Sequence, residues 1–384
     1  MRTNHNALLI NSMHIYKLNL TILMILTCFI SITSVFWGSK HAVGATTPVV
    51  TTPIKWHPGH YYTIMDYGKN ASWYLSQVYS EIKATPALRG IQIRYSWAEL
   101  ETSEGVYNFS SIAKRLNELS SINKRLVIVV ETKTFDPTEV LIPNYLKTGI
   151  YEGGQYLFST PNKAGVQGYN LKLWNPQVRD RLKALVRALG KRFNSEPYFE
   201  GIGLTETALG QPDVPLTSQQ IDDYFANLLN IQQQMRTAFP NTMTFQFTNY
   251  PRPILESFIS SLRNMGAGLG GPDVFIEDPG LNYPLIPKGV YNYYPENSGI
   301  MPLTPSVMHG NYKSTKADGT GYEPTIMELL SFARDTLKAN YIFWHRDPDY
   351  YLKVLETLNQ ANQKANPAGG LDFTCPGIYT TCAN

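Results

Sequence analysis

The chain has 384 residues, 43% of them hydrophobic and 16% charged, with a formal net charge of +3. Those proportions exclude a disordered chain and supply apolar surface for a large core. Residues 1–45 hold Arg2, Lys17 and Lys40 but no acid, so residues 46–384 keep 30 of the 33 basic residues against 30 acidic ones; this balance excludes a basic field for nucleic acid or an anionic membrane.

The first 45 residues read as a targeting segment. A basic start is followed by an apolar run from about Leu18 to Trp37 and by the small-residue ending Val43-Gly44-Ala45. That pattern predicts a secretory signal cleaved after Ala45, and hence a secreted, periplasmic or cell-envelope protein with no membrane contact after cleavage. The run is also close to the length of a bilayer span, so an uncleaved N-terminal anchor is the alternative. Residues 46–54, with "TTPVVTTP" at 46–53, read as a linker, 55–366 as one barrel domain and 367–384 as a tail. Cys28 leaves with the signal. Cys375 and Cys382, close in sequence in an exported chain, are expected to form a disulfide that pins the tail.

Beyond the linker, strands and helices alternate. "HYYTIMD" (60–66) reads as a strand and 72–84 as a helix. "RGIQIRYSW" (89–97) is the second strand, 108–122 a helix, and "RLVIVVET" (125–132) a strand covered on both faces. Residues 135–174 show no period and read as a long loop after the third strand. A helix comes next, with Asn175 as N-cap and Pro176 in its first turn. "YFEGIGLTE" is the fourth strand, and its helix opens on a capping box of Thr217 and Gln220. The fifth strand is 242–250 and the sixth 272–279. The seventh, 304–312, is the weakest pattern, and the eighth is 340–347; residues 280–302 offer no helix. Eight strand–helix units predict a single closed (β/α)8 barrel, with an open doubly wound sheet as the alternative.

In such a barrel the site lies at the C-terminal ends of the strands. These ends carry Asp66, Arg94, Trp97, Glu131, Glu206, Asn249, Tyr250, Glu277, Asp278, His309, Asn311, Trp344 and His345. Acids clustered at one rim beside aromatic rings fit glycan cleavage, in which one carboxyl donates a proton and a second acts as nucleophile or base. If Ile202 and Leu204 fill the barrel, Glu206 emerges over them at the mouth. The 25 Tyr, 16 Phe and 6 Trp fit a sugar cleft or simply a ring-rich core. None of the histidines beyond residue 45 (His57, His60, His309 and His345) shows His-x-x-x-His spacing, so no metal and no cofactor are expected.

The stretch "GIQIRYSWAELETSEGVYNF" resembles the second-strand region of the barrel glycoside hydrolases related to cellulases and microbial β-galactosidases, through Arg94, Trp97, Glu101, Gly105, Tyr107 and Phe109. The resemblance implies that Glu206, preceded by Thr205 where the superfamily has Asn, is the general acid/base, and that Trp344 floors the sugar site. It also implies a nucleophilic Glu at the end of the seventh strand, where this chain has His309 and no carboxylate before Asp318. The second acid is then Glu277 or Asp278, unless the seventh strand is misplaced or hydrolysis is lost. Arg94, Trp97, Glu131, Asn249, Tyr250, His309, Trp344 and His345 are expected to bind substrate. The resulting expectation is an exported glycosidase acting on a β-linked poly- or oligosaccharide. A non-catalytic carbohydrate-binding barrel of the envelope is the alternative, and an envelope structural protein a third.

Overall fold

The computed structural model describes residues 53–160 and 163–384, apart from the side chains of residues 66, 67, 163 and 164. The expected signal, nearly all of the expected linker and the Asp66 side chain lie outside these bounds. Among the described residues no helix is long and apolar enough to cross a membrane.

Eight parallel strands close into a barrel in chain order: β1 Gly59–Ile64, β2 Leu88–Ser96, β3 Arg125–Glu131, β4 Phe199–Leu204, β5 Met243–Phe247, β6 Gly268–Gly271, β7 Leu303–Val307 and β8 Tyr341–His345. Helices α1 Ser72–Ala84, α2 Ser110–Ser120, α3 Pro176–Phe193, α4 Ser218–Ala238, α5 Leu255–Met265, α6 Ile326–Ser331 and α7 Tyr351–Leu358 wrap it. The caps read from sequence are formed. Asn175 accepts from the N–H groups of Gln177 and Val178, and Thr217 and Gln220 satisfy each other's backbone. Between β6 and β7 the chain makes only the short 3₁₀ turns Val290–Tyr293 and Pro295–Asn297.

Period-two alternation sorts the strand residues into two layers. Tyr61, Val127, Val129, Met243, Phe245, Phe247, Tyr341 and Phe343 fill the lumen. Ile91, Ile93, Ile128, Val130, Ile202 and Leu204 face the helices. Ile202 and Leu204 therefore do not fill the barrel, contrary to the expectation. Strand β4 turns Gly201 and Gly203 inward, and a Cβ on Gly203 would strike the Phe245 ring. Burying each such ring stabilises by about 2–3 kcal/mol, and the glycines provide the room.

The same exchange of volume explains the misplaced sixth strand. Strand β6 is "GLGG", which has almost no strand propensity. A side chain on Gly270 would meet Phe247 and Thr304, so neighbouring strands supply the bulk. Residues 272–279, expected as the strand, form the loop after it. The segment 135–174 is likewise not a structureless loop. It carries an antiparallel hairpin, Gln155–Thr160 with Lys163–Leu171, tied to the extension of β3 by Thr134 N–H to Tyr169 O (2.9 Å) and Leu171 N–H to Thr132 O (3.0 Å).

The barrel floor is made by both ends of the described chain. Ile54–Lys55 pairs in parallel with Cys382–Ala383. The Trp56 indole donates to Phe373 O (2.9 Å), and Tyr379 packs against Trp56. Cys375 and Cys382 are joined as expected. Buried Glu200 also sits at the floor. It accepts from the His57 backbone (2.6 Å), the Tyr341 hydroxyl (2.7 Å) and His57 Nδ1 (2.9 Å), with Arg125 at 3.6 Å. Burial alone would raise its pKa, but the His57, Arg125 and Tyr341 contacts win and hold it down at about 2.

Candidate functional site

Glu206 follows the end of β4 in a loop fixed on both sides. Thr205 shares its hydroxyl with Thr132 (2.7 Å) and accepts from the Thr132 N–H (2.9 Å). It therefore ties the end of β4 to the extension of β3. On the other side Asn249 Oδ1 accepts from Ala208 N–H (3.1 Å) and Tyr250 N–H (2.8 Å), and Thr207 Oγ1 accepts from Asn249 N–H (3.1 Å). Asn249 thus positions the loop that carries Glu206.

The Glu206 carboxylate, 14% exposed, pairs with Lys133 Nζ at 3.3 Å. Lys133 is buried, donates also to Ala208 O, and lies 4.7 Å from the Phe158 ring centroid and 5.5 Å from that of Phe135. Burial lowers its pKa and the Glu206 charge opposes that. Lys133 thus joins the ends of β3 and β4 through Glu206. The hairpin explains why: it holds the β3 extension at Lys133–Thr134 and brings Phe158 over the lysine.

The acid on which the Glu206 charge acts is Asp273, two residues past β6 and not among the residues expected from sequence. Burial, first, and the neighbouring Glu206 charge, second, raise its pKa from the ordinary 3.8 to about 7. Asn311 Nδ2 donates to it at 3.2 Å and the Arg94 charge opposes the rise. Asp273 lines a cavity of about 160 Å³ with Asn249, Tyr250, Phe275 and Tyr291. Burial, with Asp278 next, raises the Tyr250 hydroxyl to about 12.

Glu277 and Asp278, expected as the second acid, are used otherwise. Asp278 accepts from the N–H groups of Gly280 and Leu281 (2.9 Å each) and of Ala317 (3.2 Å), which consumes both its oxygens in turn-making. Glu277 is exposed and accepts from the Thr315 hydroxyl at 2.7 Å. Both assignments followed from the misplaced sixth strand.

Two tryptophans are also reassigned. Trp344 is fully buried, faces the helix layer and donates to His60 Nδ1 at 3.0 Å, so it cannot floor a sugar site. Parity decides this, since Phe343 and His345 take the inward positions of β8. Trp97 is fully buried and donates to Glu101 Oε2 at 2.7 Å, while Glu101 pairs with Arg181. The Arg94-to-Phe109 motif therefore builds a structural knot behind the mouth, and only Arg94 turns inward. The aromatic faces open to solvent lie elsewhere: Phe135 is 49% exposed beside Lys133.

Of the other expected binders, buried Glu131 lines a cleft of about 320 Å³ with Lys69, Ser96, Glu99 and Glu139. His309 begins the turn after β7, is exposed, and contacts Asp347 Oδ2 through Nδ1 at 2.5 Å. Buried His345 ends β8 with Nδ1 3.8 Å from the same oxygen. Burial, with the Arg94 and His309 charges, holds the His345 pKa down at about 4 despite Asp347. Strand β7 ends at Val307, and Met308, against Arg94, and His309 stand where the superfamily resemblance implied a Glu.

No protein-family model and no curated protein sequence matches the chain. The structure is similar to the catalytic domain of a β-amylase from Paenibacillus polymyxa, with 8% identity, 76% of this chain and 92% of that chain covered, and a TM-score of 0.51. It is similar also to a β-galactosidase from Bacillus circulans sp. alkalophilus, with 10% identity, 76% and 50% covered, and a TM-score of 0.52. The fold is theirs. The chain spans half the length of that β-galactosidase. The resemblance read from the second-strand motif and the structural likeness agree at the level of the (β/α)8 barrel.

Proposed function

We propose that the protein is an exported glycoside hydrolase acting on a β-linked poly- or oligosaccharide, with Glu206 and Asp273 as its catalytic carboxyls. The observation that carries this reading is the electrostatic coupling of two acids that follow β4 and β6: the Glu206 charge helps to raise the Asp273 pKa, while Lys133 lies 3.3 Å from Glu206. Burial, first, and the Glu206 charge, second, keep a proton on Asp273. Lys133 faces Glu206, so the proton resides on Asp273, whose pKa near 7 suits a general acid at neutral pH. In the reaction Asp273 protonates the glycosidic oxygen and Glu206, as the anion, serves the oxocarbenium-like centre as nucleophile or base. This reverses the roles that the family resemblance implied.

Arg94, which opposes the rise of the Asp273 pKa, stabilises the aspartate formed after proton transfer. Phe135, exposed beside the Glu206–Lys133 pair, offers a ring face for stacking a sugar. Export rests on the sequence of residues 1–45; N-terminal sequencing of the secreted protein, with Thr46 first, is its test.

The decisive experiment assays reducing-sugar release from a panel of β-linked glycans by the wild type, Glu206→Gln and Asp273→Asn. Each variant is expected to lose about 10²–10⁴-fold in kcat/KM while still binding the glycan. Full activity in either variant removes that residue from the chemistry. Glycan binding by the wild type with no release would favour the envelope binding barrel, for which the missing carboxylate at the end of β7 is the supporting observation.

A further inference from the structure

We infer that His309, His345 and Asp347 form a three-ligand site for a divalent first-row transition ion such as Zn²⁺ at the rim of the barrel. One donor atom from each of the three lies within 4.8 Å of the other two. Residues separated by 36 and by 2 positions are brought together because β7 and β8 are neighbours in the barrel. The sequence test for His-x-x-x-His spacing could not detect such a set.

The donors suit the ion. Imidazole nitrogen and carboxylate oxygen both bind zinc at about 2.0–2.2 Å, and two histidines plus one carboxylate with an open position is a recurrent metal set. Tetrahedral bonds of that length place ligand atoms about 3.3 Å apart. The present separations from Asp347 Oδ2, 2.5 Å to His309 and 3.8 Å to His345, straddle this value. His309, whose side chain is 52% exposed and has room to move, takes up the short separation, and an ion spans the 3.8 Å between His345 and Asp347 with a bond angle opened to roughly 135°. The other two are fixed. His345 is buried at the end of β8, and Asp347 is buried with its second oxygen accepting from the Asp349 N–H at 2.9 Å. A hydrogen bond to the non-ligating oxygen of a carboxylate is the kind of outer contact that orients metal ligands. The Arg94 charge acts on His345 and lowers the affinity, so the site is expected to be filled by added metal and stripped by chelator.

The test uses the whole purified protein, freed of metal with EDTA and titrated with Co²⁺, whose visible d–d absorption reports coordination; Zn²⁺ is then added as competitor. One equivalent of Co²⁺ should bind with the intensified bands of a four- or five-coordinate site, and Zn²⁺ should abolish them. His309→Ala, which changes an exposed side chain, should weaken binding at least tenfold while leaving the circular dichroism unchanged. Asp347→Asn should do the same if it folds. Stoichiometric binding that survives unchanged in His309→Ala, or spectra of octahedral aqueous Co²⁺ throughout, would overturn the assignment. Binding is read without substrate, so failure here leaves the hydrolase reading in place.

Discussion

Replacing Asp273 with Asn isolates the electrostatic strain of the proposed site. An unfolded chain ionises this aspartate from about 3.8, whereas the folded protein keeps it protonated up to about 7. Between those values the native state binds more protons than the unfolded state, so stability falls as pH rises through that window and is level above it. The difference corresponds to about 4 kcal/mol at full ionisation, and we take about 2–4 kcal/mol as the expected range because the side chain is only partly buried. Asn carries no charge, and its carbonyl can still accept from Asn311. The variant should therefore match the wild type near pH 4 and exceed it by that amount at pH 8. Urea unfolding followed by tryptophan fluorescence at both pH values measures this. A variant less stable than the wild type at pH 8, or a difference that does not change with pH, would refute the raised pKa of Asp273. A gain in stability with a loss of turnover is the exchange expected where a strained group does chemistry.

Three further outcomes are expected. Lys133→Met should keep the fold, because a long apolar side chain suits the pocket between Phe135 and Phe158, yet move the acidic limb of the pH–rate profile up by about 1 unit or more; an unmoved limb would show that Lys133 does not act on the pair. Glu200→Gln should remove a pH dependence of the opposite sign. A carboxylate held at about 2 stabilises the fold above the ordinary value of 4.5, and this is lost as pH falls through the window below it, by about 2 kcal/mol between pH 5 and pH 3; denaturation curves that fall as steeply for the variant would contradict it. The double variant Cys375→Ser, Cys382→Ser should lose about 2–3 kcal/mol with sugar release unaffected, since the bridge lies at the floor; lost activity at full stability would show that the tail reaches the mouth.

The architecture was legible because the barrel strands that carry β-branched and aromatic runs, such as 125–132, announce themselves, and because caps such as Asn175-Pro176 mark helix starts. Strand β6 was not, since its four residues borrow their bulk from Phe245 and Phe247 on the neighbouring strand β5. That single misplacement directed the expectation to Glu277 and Asp278 and passed over Asp273, the second acid of the proposal. Trp344 and Trp97 were misassigned for a different reason: proximity to a strand end says nothing of which face a side chain takes, and a one-residue step reverses it. The Lys133–Glu206 pair depends on a hairpin whose sequence has no clear period. The convergence of His309, His345 and Asp347 depends on which strands adjoin after closure.

Both ends of the described chain lie together on the side of the barrel away from the mouth, Ile54–Lys55 alongside Cys382–Ala383. A handle attached after Asn384 would hold the protein by its base. Coupled to a bead or a sensor chip through that handle, every molecule would present its opening outward, and long polymers could approach without obstruction from the support.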